Sequence, residues 1–230
     1  ELKAINGNRI FVKLEKENAL GSIKARTAYG IMKELPREAQ NKIIVESTSG
    51  NLGLALGFFC RETGHPFLCL IDSSIASAKL EKLRAHGIEY EMVAQRDGMD
   101  LRSSRICRAQ ELMDSGKYHW VNQYDNPASI NIHYRTTGPE IWDQLEETLT
   151  DIVCCMGSCG TICGISKFVK EKDRRIQVCG VEPFGSTIFG EIGAPYINVG
   201  GGLVGKPGNL IHSRAEVDGH MTIPDEKPIE

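Results

Sequence analysis

The sequence of 230 residues predicts an α/β protein built on parallel sheets. Short apolar segments alternate with longer ones whose apolar residues recur at helical spacing, and polar or glycine-rich turns separate them. This alternation is typical of βα units, in which helices cover both faces of a parallel sheet. A compact run of units ends at residue 121, and a second series begins at residue 151. We therefore expect two open twisted sheets with helices on both faces.

The predicted strands are apolar runs whose residues favour a buried, pleated backbone. They cover residues 10–14, 42–45, 67–71, 88–93, 118–121, 151–156 and 177–181. The periodic segments between them predict helices over residues 22–35, 50–63, 76–86, 101–115, 129–147 and 161–170. Ser22 is favoured as the N-cap of the first helix, and Pro139 favours a fresh helix that starts at Glu140.

Composition and charge exclude several classes of protein. Apolar content of 41% and charged content of 25% are ordinary for a globular domain. A net charge of −3 gives no general electrostatic reason to bind nucleic acid or an anionic membrane. No apolar run is long enough to span a bilayer, and residues 1–6 carry no secretory pattern. We expect a cytoplasmic protein with neither nucleic acid nor membrane as a partner.

The eight cysteines do not indicate a disulfide scaffold or a metal centre. Half of them lie in apolar strand-like runs, where a free thiol packs as a small hydrophobe: Cys69, Cys154, Cys155 and Cys179. Cys159 and Cys163 extend this group, but paired C-x-x-C spacing and a nearby histidine are lacking. We therefore expect no metal site.

A turn of small residues follows the predicted strand 151–156 and opens the next helix: Gly157, Ser158, Cys159, Gly160 and Thr161. The first turn of a helix has backbone N–H groups without intrahelical partners, so such a turn is suited to an anion, most often a phosphate. Taken alone, this signal is generic among α/β proteins.

Lys24 is the candidate for covalent chemistry. It stands in the first turn of a predicted helix, whose positive end disfavours a cation. Burial beneath a sheet and the neighbouring Arg26 should also lower its pKa, and a neutral amine can form a Schiff base. The alternative is a solvated lysine on a surface helix.

Two polar loops follow predicted strands, at the edge where parallel sheets hold their active sites. Thr48, Ser49, Gly50 and Asn51 could cradle a carboxylate, or could simply cap the helix that follows. Gln123 could supply an amide to a carboxylate, or could belong to a hydrophilic connection that ends at Pro127.

Together these segments resemble the cysteine synthase and cystathionine β-synthase family, fold-type II pyridoxal-phosphate enzymes with a tryptophan synthase β-like fold. The matching motifs occur in family order over nearly the whole chain. They lie at residues 13–15, 21–26, 47–51, 122–127, 133–142, 157–161 and 180–183.

The resemblance implies a role for each candidate. Lys24 would be the Schiff-base lysine and would remove the substrate α-proton. Asn51 would bind the 3′-oxygen of the cofactor ring, and residues 157–161 would hold the phosphate of pyridoxal 5′-phosphate. Thr48, Ser49, Gly50 and Gln123 would hold the substrate α-carboxylate.

The resemblance also implies a homodimeric transferase of amino-acid biosynthesis that acts on a small amino acid. The reaction would be β-replacement on O-acetyl- or O-phospho-L-serine through an α-aminoacrylate. Residues 1–35 and 136–230 would form a large cofactor domain, and residues 36–135 a smaller mobile substrate domain. Because the family's segment facing the pyridine nitrogen is absent, we expect the C-terminal part of the large domain to be missing.

Departures from the common family pattern keep alternatives open. Ala25 and Leu52 replace a frequent Asp and Thr, and Ser158-Cys159 replaces Thr-Gly. Residues 46–53 and 185–190 look closer to the 2,3-diaminopropionate subgroup, in which N-(2-amino-2-carboxyethyl)-L-glutamate synthase condenses O-phosphoserine with glutamate for siderophores and antibiotics. A catalytically silent binding homologue is the second alternative. A Rossmann-type nucleotide binder is weaker, because residues 157–164 lack the G-x-G-x-x-G spacing.

Overall fold

The computed structural model describes residues 2–5, 7–48, 50–190, 193, 201–202 and 217–224. The strands are β1 (Leu2–Ile5), β2 (Asn8–Ile10), β3 (Ile43–Ser47), β4 (Phe67–Ile71), β5 (Tyr90–Met92), β6 (Tyr118–Trp120), β7 (Asp151–Cys155), β8 (Gln177–Pro183) and β9 (Gly219–Ile223). The helices are α1 (Lys24–Lys33), α2 (Asn51–Thr63), α3 (Ser77–Ala85), α4 (Leu101–Asp114), α5 (Ala128–Arg135), α6 (Thr137–Leu145) and α7 (Gly160–Lys172). Short 3-10 helices cover Glu15–Glu17, Arg37–Ala39 and Glu146–Thr148.

Two parallel sheets form the framework, which confirms the predicted α/β class. The first has the strand order β5-β4-β3-β6 and the second the order β7-β8-β9. Strands β1 and β2 form a separate antiparallel pair. Because parallel strands end at the same edge of their sheet, the loops after β3, β6 and β7 become available for one site.

Helices cover both faces of the first sheet, which explains why its central strand β4 is apolar throughout and most of β3 is apolar. Ile44 and Ile71 pack into a core with residues of α1 and α2. Val45 and Leu70 point the other way, into a second core with α4. In the second sheet, Ile152 and other inward residues pack against α7.

Helix α5 packs closely against both α1 and α7. Gly30 of α1 and Gly164 of α7 make this possible: a Cβ on Gly30 would lie 2.7 Å from the Cβ of Ile132, and one on Gly164 would lie 2.6 Å from the Cβ of His133. Since neither position has room for a side chain, glycine is required at both contacts. Helix α5 is therefore the common packing partner of α1, which carries Lys24, and α7, which carries Thr161.

Several local predictions are wrong. Strand β2 ends at Ile10, and the predicted strand 10–14 is largely irregular backbone with Val12 exposed. Helix α1 begins at Lys24 with Ile23 as the flanking residue, so Ser22 is not its N-cap. The predicted helix 129–147 is two helices, and α6 begins at Thr137 rather than Glu140. Pro139 fits there because the first-turn N–H groups of a helix need no intrahelical acceptor.

Strand β9 was not predicted, because the sequence after residue 181 loses its alternating pattern. Among the helices of the described part, none combines the length and apolar character that crossing a membrane requires.

Candidate active site

The side chain of Lys24 connects two of the predicted loops. Its Nζ donates to Oε1 of Gln123 and to Oγ of Ser158, each at 3.2 Å. Gln123 follows β6 in the first sheet, and Ser158 lies between β7 and α7 in the second. Residues separated by 99 and 134 positions in the chain thus meet around one amine.

Burial lowers the pKa of Lys24 below its ordinary value, because the ammonium form loses its hydration, while the nearby Glu46 partly opposes this. The sequence-based expectation that Arg26 contributes is not met. Arg26 donates instead to Glu15 at 2.8 Å and to Glu140 at 2.6 Å, so its charge is paired within its own cluster. Lys24 is therefore a candidate nucleophile through burial.

Glu46 is a buried carboxyl group that the sequence-based prediction did not include in the site. It lies on β3 with no exposed surface, and its Oε2 accepts from the backbone N–H of Gln123 at 3.2 Å. Its Oε1 has no hydrogen-bond partner among the described residues. Burial raises the pKa of Glu46 to about 8, so the carboxyl is mostly protonated at neutral pH. The predicted strand ends at residue 45, so the sequence placed Glu46 in the following polar loop rather than on β3.

The loop after β3 carries the predicted carboxylate cradle. Thr48 is buried, and its backbone N–H donates to the carbonyl of Leu70 at 3.1 Å. Gly50 directly precedes α2, and Asn51 is the first residue of that helix with an exposed side chain. Ser49 lies outside the described residues. The N–H groups in the first turn of α2 therefore lie beside this loop and can bind an anion.

A buried ion pair lies next to the end of β3, which leads into this loop. Arg105 of α4 places its Nε 2.6 Å from Oδ2 of Asp72, and both side chains are at least nine-tenths buried. The same guanidinium donates from Nη1 to Oγ of Ser47 at 3.2 Å. No motif marks Arg105, because only the packing of α4 on the sheet brings it to the end of β3.

The predicted anion turn runs from the end of β7 into α7. Cys159 flanks the helix in the left-handed region, with φ of 66°, and Gly160 is the first helical residue. Gly157 and Ser158 are half-buried, and the hydroxyl of Thr161 lies 3.2 Å from Nε2 of His133. Burial raises the pKa of Cys159 to about 12, so its thiol is not a nucleophile at neutral pH.

His133 lies directly behind this turn, although the sequence-based prediction placed it only on a helix. It has no exposed surface, and its Nδ1 lies 2.8 Å from Oγ1 of Thr137. Its Nε2 also lies 3.4 Å from Oγ1 of Thr27, on the helix that carries Lys24. Burial, with the charges of Lys24 and Arg26, lowers the pKa of His133 to about 3. The imidazole is therefore neutral in the folded protein.

A family model described as pyridoxal-phosphate dependent enzyme matches residues 1–226. The chain belongs to this family. The similarity extends to cysteine synthase B of Salmonella typhimurium, which is 34% identical over 189 residues, 80% of this chain and 61% of that protein. The cysteine synthase of Staphylococcus aureus is 32% identical over 212 residues, 89% of this chain and 67% of that protein.

Solved structures agree with this assignment to the pyridoxal-phosphate dependent enzymes. The O-acetylserine dependent cystathionine β-synthase from Helicobacter pylori matches with a TM-score of 0.83 and 29% identity, over 94% of this chain and 70% of that chain. The cysteine synthase of Entamoeba histolytica matches with a TM-score of 0.82 and 27% identity, over 92% and 63%. The chain thus spans 61% of the length of the Salmonella relative.

Pyridoxal 5′-phosphate is the cofactor of this family, and the residues around Lys24 fit it. A buried amine with a lowered pKa suits the cofactor aldehyde. Hydroxyl groups and a helix start suit its phosphate, and Lys24 lies 3.2 Å from the first of those hydroxyls, on Ser158. Among the residues that the structure describes, no three His, Cys, Asp or Glu side chains form a group able to hold a metal ion.

Proposed function

We propose that this protein catalyses pyridoxal-phosphate dependent β-replacement on an O-activated L-serine. The observation that carries the proposal is the position of the Lys24 amine, 3.2 Å from both Ser158 of the anion turn and Gln123 of the loop after β6. Relatives named cysteine synthase and a neighbour named O-acetylserine dependent support O-acetyl-L-serine as the donor, with O-phospho-L-serine as the second candidate.

In this proposal the site residues have the following roles. When bound, pyridoxal phosphate supplies an electron sink for the electron pair left at the substrate Cα. Lys24 accepts the α-proton at Nζ, which requires the neutral amine that burial favours. The hydroxyl of Thr48 and the amide of Gln123 bind the α-carboxylate, and Asn51 donates to the ring oxygen of the cofactor.

Residues 36–135 would form the smaller substrate domain, and carboxylate binding at Thr48 would draw it towards the cofactor and exclude water. The buried hydrogen bond from the backbone N–H of Gln123 to Glu46 ties the loop after β6 to β3. A homodimer remains our expectation for the whole protein.

The first test is covalent capture of the cofactor. The protein is incubated with pyridoxal phosphate, reduced with borohydride and digested, and the peptides are weighed by mass spectrometry. We expect the reduced cofactor on Lys24 and no capture by Lys24→Ala. Lys33→Ala is the matched control, because Lys33 is exposed in the last turn of the same helix. Capture at a different lysine in the wild-type protein would exclude the assigned role.

The second test identifies the substrates. O-acetyl-L-serine and O-phospho-L-serine are each paired with sulfide or glutamate, and the products are identified by mass spectrometry. We expect a β-substituted amino acid from at least one pair. Formation of N-(2-amino-2-carboxyethyl)-L-glutamate from O-phosphoserine would favour the 2,3-diaminopropionate alternative. If the protein captures cofactor but consumes neither donor, the β-replacement proposal is wrong and a silent homologue is favoured.

A further inference from the structure

His133 lies where α5 meets three other helices. On α5, its ring is wholly buried and contacts three threonine hydroxyls. Nδ1 lies 2.8 Å from Thr137 of α6, and Nε2 lies 3.2 Å from Thr161 of α7 and 3.4 Å from Thr27 of α1. Thr161 closes the anion turn, and Thr27 is one turn beyond Lys24. The imidazole therefore joins the two parts of the site that must hold one cofactor.

A neutral imidazole has one N–H donor and one acceptor nitrogen, so two hydrogen-bond arrangements are available. In the first, Nε2–H donates to Thr161 and Nδ1 accepts from the hydroxyl of Thr137. In the second, Nδ1–H donates to Thr137 and Nε2 accepts from the hydroxyl of Thr161. A doubly protonated ring is disfavoured here, chiefly because burial lowers the pKa of His133 to about 3.

The two arrangements differ in what Thr161 offers to an anion. Where Nε2–H donates to its oxygen, the hydroxyl proton of Thr161 is free to donate to a phosphate oxygen. Where Nε2 accepts, the same proton is used on the ring, and Thr161 presents lone pairs that repel an anion. Donors fixed in advance bind an oxyanion better than donors that must reorient, so the tautomer matters for affinity.

We infer that His133 is a positioning residue for the anion turn: its Nε2–H tautomer, held by Thr137, fixes the Thr161 hydroxyl as a donor to a phosphate monoester. Thr27, on the helix that carries Lys24, lies 3.4 Å from the same nitrogen and in this tautomer can only share the one N–H that donates to Thr161. The inference rests on the proposed function in one respect, that the turn receives the cofactor phosphate. The close helix contact at Gly164 is what allows the ring to reach Thr161.

The first experiment reads the tautomer directly. Long-range 1H–15N correlation spectra of the histidine rings are recorded for the wild-type protein with and without pyridoxal phosphate, and His133 is assigned with the His133→Gln variant. We expect a neutral ring with Nε2 protonated in the cofactor-bound protein. A bound protein with Nδ1–H, or with both nitrogens protonated, would overturn the inference.

The second experiment measures binding rather than activity. The affinities of the cofactor-free protein for pyridoxal phosphate and for inorganic phosphate are measured by calorimetry. Leucine at position 133 removes the ring donor, and we expect His133→Leu to bind both ligands about tenfold more weakly. His133→Gln can place an amide N–H near the Nε2 position, and we expect it to stay within about threefold of wild type.

The outcomes separate this inference from the proposed function. A wild-type protein that binds neither ligand contradicts the proposed function. If the wild-type protein binds both ligands, and His133→Leu and His133→Gln bind them as tightly as wild type does, only the role of His133 is contradicted. Thr137→Val should shift the tautomer towards Nδ1–H, since it removes the hydroxyl that donates to Nδ1. If His133→Leu does not fold, the ring spectra of the wild-type protein and the ligand affinities of His133→Gln still test the inference.

Discussion

Arg105 and Asp72 are the residues at which a single substitution should weaken the fold most clearly. Their ion pair is buried, with side-chain exposures of 6% and 1%, and it supports Ser47 just before the carboxylate loop. Removing one partner leaves the other charge buried and unpaired, so we expect Arg105→Met to lower the free energy of unfolding by about 3–5 kcal/mol. Urea denaturation followed by circular dichroism measures this.

Arg108 supplies the matched control on the same helix. Its pair with Glu91 is about one-third exposed, and an exposed pair contributes at most about 1 kcal/mol. Arg108→Met should therefore have a small effect, and the double variant Asp72→Asn/Arg105→Met should recover part of the loss. Equal losses from Arg105→Met and Arg108→Met would show that burial of the pair is unimportant.

At the scale of single residues, the sequence identified side chains at strand ends and helix starts and missed those that depend on packing. Gln123 and Ser158 could be predicted because strand–loop–helix junctions carry function in parallel sheets, and Lys24 because it stands in the first turn of a helix. Glu46 and His133 lie inside regular elements, but the sequence pattern places the first after a strand and the second on a helix, with no indication of their partners. Their partners come from segments 77 and 28 residues away, so only the folded chain reveals their chemistry.

At the scale of elements, the contact between α5 and α7 should control the geometry of the anion turn. A Cβ at position 164 would lie 2.6 Å from the Cβ of His133 and 2.8 Å from the backbone nitrogen of Tyr134. We expect Gly164→Ala to separate the helices, to lower the free energy of unfolding by about 1–3 kcal/mol and to weaken phosphate binding. Thermal unfolding and calorimetry with inorganic phosphate measure both effects.

Lys167→Ala is the control for this helix, because Lys167 is exposed on α7 and its Nζ lies over the ring of Tyr134. It should leave phosphate affinity unchanged. If Gly164→Ala binds phosphate as tightly as the control, close packing of α7 on α5 does not determine the anion turn.

The elements themselves were largely predictable, since amphipathic and apolar periodicities follow directly from burial. Strand β4 was predicted at its observed bounds, and α2 and α4 to within one residue. The errors lie where burial does not set the pattern. Val12 and Leu14 are apolar but more than half exposed, and α5 and α6 form one periodic segment that is divided at Thr136.

At the scale of the whole molecule, two buried groups should set the pH range of stability. Glu46 has its pKa raised from 4.5 to about 8, so the folded state keeps a proton that the unfolded state loses above pH 4.5. Its contribution to stability is therefore lost as the pH rises from 4.5 to 8. His133 has its pKa lowered from 6.5 to about 3, so its contribution is lost as the pH falls from 6.5 to 3.

Between pH 4.5 and 6.5 these contributions have opposite slopes of one proton each, about 1.4 kcal/mol per pH unit, and should cancel. Above pH 6.5 the loss from Glu46 continues and is opposed by Lys24, whose lowered pKa favours the folded state as the pH rises. Below pH 4.5 the loss from His133 is joined by that from Glu140, whose pKa Arg26 holds at about 2. The test is urea unfolding of the cofactor-free protein at several pH values. The wild-type protein should lose stability relative to Glu46→Gln as the pH rises to 8. It should lose stability relative to His133→Gln as the pH falls to 3. Because Lys24 is charge-coupled to both Glu46 and His133, each comparison measures the substituted group together with its effect on Lys24. A constant difference between wild type and Glu46→Gln from pH 5 to 8 would mean that Glu46 is ionised in the folded protein.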